Sequence, residues 1–237
     1  MEEVGVHIPD GLINAPSSLG AGLVALGGVG AALRRSSRVL DDRQVPLAGL
    51  VAAFVFAAQM FNFPVGPGTS GHLIGGVLAA ILVGPWTAVL CMAIVVFVQA
   101  LFADGGLTAL GLNILNLAVI STLGGYAIFL GCRRFASATS WAWSTAGGVA
   151  AGASVLLAAL AFVAEFALGG PGGVSLRSVT IAMVSVHALI AVGEGLFTAS
   201  ALVLVLGTRP DLVYGISPAE SRAAPGQVAP ATSGRGL

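Results

Sequence analysis

The chain has 237 residues, 57% of them hydrophobic and 8% charged, with zero formal net charge and a mean hydropathy of +0.98. A soluble domain carries roughly 25% charged residues, so this composition cannot supply a water-facing surface. It also lacks the basic patch that a nucleic-acid partner requires. The expected class is an all-α, multi-pass protein of the cell membrane.

A helix needs about 20 apolar residues to cross a hydrocarbon core of roughly 30 Å. In chain order, seven segments qualify as spans: about 16–33, 45–62, 71–84, 86–103, 112–131, 142–168 and 178–206. The third is short and stops at Gly84-Pro85, where the residue before proline is pushed out of the helical region. Fourteen residues reach only about 21 Å, so the loop Asn62–Gly71 leading into it is expected to dip below the surface. Irregular backbone at that depth must be buried in protein or face a water-filled cavity. A short helix of this kind points at a site.

Orientation follows from arginine, because the chain has no lysine. With the amino terminus outside, Arg34, Arg35, Arg38, Arg43, Arg133, Arg134, Arg209, Arg222 and Arg235 are cytoplasmic, and Arg177 alone is external. That asymmetry obeys the positive-inside rule and requires an odd number of spans. The fold class is therefore a seven-transmembrane-helix bundle, amino terminus outside and carboxy terminus cytoplasmic. Residues 1–5 read as an over-extended or removable extension, 6–206 as the membrane metal-binding domain, and 207–237 as a disordered cytoplasmic tail. Cys91 and Cys132 are expected to be reduced packing residues. Small-residue pairs such as Gly75/Ala79, Gly76/Ala80 and Gly148/Gly152 suit close helix contacts in lipid.

The chemistry concentrates in two histidines. His7 precedes the first span in His7-Ile8-Pro9-Asp10-Gly11, and His72 ends Gly68-Thr69-Ser70-Gly71-His72. The assigned topology puts both on the outer face, where two imidazoles can hold a divalent transition metal. An α-amine, the next backbone amide and an imidazole supply three coplanar nitrogens when the histidine is the second residue. His72 would be the fourth. Such a tetragonal set favours Ni(II) or Cu(II).

Here the histidine is seventh. A start at Val6, read as methionine from a GTG codon, would restore the amine ligand. Asp10 is the expected acceptor that orients an imidazole, and Asn62, Thr69, Ser70, Asn113 and Asn116 are candidates to line or brace the pocket. His187 and Glu194 lie seven apart in the last span, on one helical face. Interior hydrogen bonding is the favoured use for both, as is the interface for Glu165.

Val6-His7-Ile8-Pro9-Asp10-Gly11 resembles the Met-His-Ile-Pro-Asp-Gly start of the CbiM/NikM family. Further strings match that family's other signatures. They are Phe61-Asn62-Phe63-Pro64-Val65 with Gly68 to Leu73, Gln99 to Phe102 with Asp104 to Gly111 and Asn113, and His187 to Ile190 with Gly193 to Leu196. The resemblance spans residues 6 to about 206. It implies a seven-helix bundle with an inward-tucked amino terminus. The implied ligands are the amine of the starting residue (Val6 here), the amide and ring of His7, and the ring of His72.

It also implies the substrate-binding S component of an energy-coupling-factor transporter for Ni(II) or Co(II). Its implied partners are a transmembrane coupling subunit, cytoplasmic ATPase subunits and, in many members, a small accessory membrane subunit. The chain has no Walker-type loop of its own and is expected not to be an enzyme. Two rivals stand beside this reading. A stand-alone channel or ion-coupled carrier would need a continuous polar path, and a hydrolase would need more than Ser70 near His72. Both nickel and cobalt occur as substrates in the family the chain resembles.

Overall fold

The computed structural model describes residues 7–38, 40, 44–60, 63–66, 69–102, 104–137 and 139–215; side chains are described outside 61–71. Among these residues the chain forms seven helices: α1 Ala15–Ser36, α2 Gln44–Gln59, α3 Gly76–Val83, α4 Pro85–Leu101, α5 Leu110–Phe135, α6 Ser140–Gly169 and α7 Leu176–Thr208. Of these, α1, α5, α6 and α7 are long and apolar enough to cross a membrane, while α2 and α4 are shorter apolar helices. Two short strands, β1 Phe63–Gly66 and β2 Thr69–Gly71, pair antiparallel between α2 and α3. This hairpin falls in the loop where irregular backbone was expected between the second and third spans. Pro64 lacks a backbone N–H and Gly66 and Gly71 disfavour helix.

The bundle has two distinguishable ends. At one, Ser36 meets Thr87 and the Tyr214 N–H donates to the Ile81 carbonyl at 2.8 Å. There Phe129, Trp143, Leu206 and Val213 share one buried cluster. At the other, the Asn14 N–H donates to the Gly169 carbonyl at 2.7 Å, and Ile8, Ile13, Leu112 and Phe166 pack together. Asn14 also caps α1, accepting from the Ser17 N–H at 3.0 Å with Pro16 in the first turn, the arrangement that satisfies an otherwise orphaned donor.

The shortest helix is the most buried. Val77, Leu78, Ala79, Ala80 and Ile81 of α3 are at most 1% exposed, because α2, α4, α5 and α6 all pack around it. Around the outside, Leu19, Leu23, Leu26, Ile94, Leu189 and Leu204 are exposed apolar side chains, a belt that lipid covers more readily than water. On α6 and α7, added Cβ atoms at Gly148 and Gly152 would come within 2.6 and 2.8 Å of the Gly195 and Ala191 carbonyl oxygens. Glycine there lets the two backbones touch.

Two expectations need correction, and one helix has an unforeseen winding. The third helix starts at Gly76, not 71, because Gly75 is left-handed (φ +79°) and its N–H goes to a side chain. The centre of α5, Ile114–Gly124, is wound as a π-helix, a form concentrated at functional sites. The first part of the tail is ordered: Pro210–Leu212 forms a 3₁₀ turn, Arg209 pairs with Asp211 at 2.8 Å, and Val213 is buried. Residues 1–5 and 216–237 lie outside the described residues. Cys91 and Cys132 are free thiols.

Candidate metal centre

The front segment is docked through the backbone groups of Ile8. The Ile8 N–H donates to Asn113 Oδ1 at 2.9 Å, and Asn113 Nδ2 donates back to the Ile8 carbonyl at 3.1 Å. Gly106 N–H donates to the same carbonyl at 3.0 Å. Gly105 has φ +104°, and a Cβ there would fall 2.8 Å from His7 Cβ; one on Gly106 would strike the Asp10 backbone. Only glycine gives both the backbone angle and the clearance. The turn after α4 thus holds the residue after His7 and presses Asp104 against its ring.

His72 is placed from two other helices. Gln59, at the end of α2, donates Nε2 to the Ile74 carbonyl at 2.6 Å. Glu194 of α7 accepts from the Ile74 and Gly75 N–H groups at 2.7 and 2.8 Å. These bonds fix the backbone just after His72 and supply partners for donors that would otherwise be buried without one.

The two rings meet. His7 and His72 are 4% and 2% exposed, with ring centres 5.0 Å apart and planes tilted by 34°. Two imidazoles sharing one first-row cation at about 2.0–2.1 Å per bond have centres roughly 4.5–6.5 Å apart. His72 Nδ1 lies 2.7 Å from the Leu73 carbonyl oxygen, which can only accept, so that nitrogen carries the proton. His7 Nδ1 lies 3.0 Å from Asp104 Oδ1. The His7 hydrogen bond holds the Asp104 carboxyl below its usual range, so Asp104 is ionised and accepts. In both rings Nδ1 is thus the nitrogen that is engaged, and both Nε2 atoms are buried without a partner. Burial, reinforced by the neighbouring His7, lowers the His72 pKa to about 4, so it is neutral at pH 7. Two oriented, desolvated imidazoles with unpartnered Nε2 atoms offer a transition metal, which binds the neutral ring, a pair of donors.

This arrangement differs from the sequence-level picture in two ways. The acceptor that orients His7 is Asp104; Asp10 instead accepts from the Thr108 N–H at 2.6 Å and from its hydroxyl. And a chelate through the His7 amide closes through Nδ1, which Asp104 holds, whereas the nitrogen left without a partner is Nε2. Asn113 braces the front segment and lines the cavity described next. Val6 and Asn62 lie outside the described residues. Thr69 and Ser70 lend backbone to β2, and their side chains lie outside the description. No three His, Cys, Asp or Glu side chains among the described residues converge as a metal cage, so the histidine pair is a partial donor set.

Behind the pair lies a cavity of about 320 Å³, lined by His7, His72, Asn113 and His187 among apolar side chains that reach from Leu12 to Ile190. Asn116 lines it too and donates Nδ2 to Glu165 at 2.8 Å, so Glu165 is tied to α5. His187 Nδ1 donates to the Met183 carbonyl at 2.8 Å.

Residues 7–212 match the family described as the cobalt uptake substrate-specific transmembrane region, CbiM. A Haloquadratum walsbyi relative named for metal transport is 39% identical over 88% of this chain and 94% of its own length. A Sorangium cellulosum cobalt transport protein CbiM is 36% identical over 71% of this chain and 76% of its own. A crystal structure described as a transition metal transporter superposes with TM-score 0.76 at 27% identity, covering 84% of this chain and 92% of that one. With its apolar helices and this match over nearly all the described residues, the chain belongs to the CbiM family of multi-pass membrane proteins.

Proposed function

We propose that the chain is the substrate-binding membrane subunit of an ATP-driven energy-coupling-factor transporter, capturing Ni(II) or Co(II) at its histidine end for uptake. One observation carries the reading: two buried imidazoles with unpartnered Nε2 atoms, 5.0 Å apart by ring centre. Relatives named for cobalt and for nickel transport support the choice of metals. In this reading all seven helices span the membrane and the histidine end faces outward. The arginine-rich end meets the coupling subunit and the ATPases, with a small accessory subunit as a further partner. The ligands beyond the two rings come from the start of the chain, the amine of residue 6 among them if translation begins there.

The test is uptake of radioactive nickel and cobalt by cells lacking other importers. Cells expressing the chain with its coupling and ATPase subunits should accumulate metal, and His72→Ala should abolish it. Uptake that persists with ATPase-dead partners would favour a stand-alone channel or carrier instead.

A further inference from the structure

The corner where α5 ends and α6 begins carries positive charge that nothing among the described residues balances. α5 closes on Arg133-Arg134-Phe135, and after a short turn α6 opens with Ser140-Trp141-Ala142-Trp143. Arg133 is half-buried, and its guanidinium carbon lies 3.7 Å from the centre of the Trp143 ring. That ring is itself buried with Phe129, Leu206 and Val213, so the arginine rests on a fixed platform. Stacking of this kind uses the face of the guanidinium and leaves the N–H donors at its edge. Arg134 is exposed beside it. Among the described residues no carboxylate answers either one. Asp10 and Asp104 belong to the histidine end, Glu165 is tied to Asn116, Glu194 to the Ile74–Gly75 backbone, and Asp211 to Arg209.

Because α5 and α6 are both apolar and long enough to cross the membrane, the turn between them lies at the bilayer surface. Phe135 and Trp141 flank that turn and are 90% and 71% exposed. Large apolar side chains so open to their surroundings suit the boundary between lipid chains and headgroups, where tryptophan collects. The ligand that fits this corner joins a negative head to an apolar body. An acidic patch on a protein would answer the charge alone, whereas a phospholipid answers the charge and covers the rings. We propose that the α5–α6 corner seats an anionic phospholipid, with Arg133 and Arg134 on its phosphate and Phe135 and Trp141 against its chains. The seat is independent of metal capture, and it leaves Arg34, Arg35 and Arg38 at the end of α1 for cytoplasmic partners.

The test uses the full-length Trp86→Phe chain, whose remaining tryptophans, Trp141 and Trp143, both report on this corner. The chain is reconstituted in phosphatidylcholine vesicles. Brominated phosphatidylglycerol or brominated phosphatidylcholine then replaces the lipid stepwise and quenches the tryptophan emission. One arginine at an anionic surface strengthens binding about fivefold, so half-maximal quenching should need at least about fivefold less phosphatidylglycerol than phosphatidylcholine. Arg133→Gln with Arg134→Gln should bring the two lipids within about twofold of each other. Arg133→Lys with Arg134→Lys keeps the charge and should hold most of the preference. Added salt, which needs no substitution, should shrink the preference, and excess inorganic phosphate should not displace the lipid. In the assembled transporter, a photoreactive phosphatidylglycerol should still label the segment from Phe135 to Trp143.

Equal quenching by the two lipids, or a preference that survives the glutamine pair or high salt, would overturn the seat. So would loss of the preference in the lysine pair, since charge would then not be what is read. Displacement by inorganic phosphate would overturn it in favour of a soluble anion. An assembled transporter that is labelled elsewhere but not on this segment would overturn it in favour of a protein partner. None of these results touches the capture role of His7 and His72.

Discussion

The two ends of the bundle solve opposite problems. At the basic end, charges lie at the surface and find soft partners: Arg35 stacks over Trp86 at 4.0 Å, Arg133 over Trp143 at 3.7 Å, and Arg209 pairs with Asp211. At the histidine end, polar atoms are buried and left waiting. Among the described residues, the buried side-chain atoms without a partner belong to His7, Gln59, His72, Gln99, Asn116 and Glu165, with Thr198 alone toward the basic half. Native proteins satisfy nearly all such groups, so a concentration of exceptions at one end marks where a ligand is meant to complete the set. One end anchors; the other receives.

Breaking the receiving end should cost most at Glu194. Replacing it with alanine strands the Ile74 and Gly75 N–H groups inside the bundle, at about 1–3 kcal/mol each. A large drop in apparent melting temperature is expected, with weakened metal binding because the His72 backbone loses its hold. Asp104→Ala should come next: the fold survives, but His7 loses its orienting acceptor, and removing such a partner typically lowers metal affinity about 10–100-fold. Equilibrium dialysis against nickel would measure it.

At the anchoring end, Arg133→Ala should cost only about 0.5–1 kcal/mol of stability, with metal affinity unchanged. An Arg133 variant that lost metal binding would erase the distinction between the ends. The smallest effect concerns pH. Thr108 holds the Asp10 carboxyl below its usual range, so this contact contributes above about pH 4, the unperturbed value. It is lost as pH falls through the depressed folded value. The Thr108 amide resonance should report that transition while the helices persist.

The helices were legible because hydropathy is a local signal, and all seven expected segments overlap observed helices. His7 and His72 were legible because histidine is rare in so apolar a chain. What local reading could not reach is the support. Asp104 is 97 residues from His7, and Glu194 is 120 from Ile74, so no periodicity or spacing links them. Asp10 looked like the orienting acid because it is near in sequence, yet the turn at Gly105 and Gly106 brings a different carboxylate to the ring and gives Asp10 to Thr108. Asp104 falls in the stretch Asp104 to Gly111 that resembles the family, and that likeness assigns it no role of its own. Its signal was an acid followed by two glycines at the end of an apolar helix. The start of α3 was misplaced for a similar reason, since the donors of Ile74 and Gly75 are taken by a carboxylate on the last helix.

The central claim is that one metal ion is held between two particular rings. X-ray absorption at the metal edge of nickel-loaded, full-length chain measures this directly. The spectrum should show at least two imidazoles in the coordination shell, falling by one in His72→Ala and by one in His7→Ala. A shell of oxygen donors without imidazole scattering, unchanged by either substitution, would contradict the account.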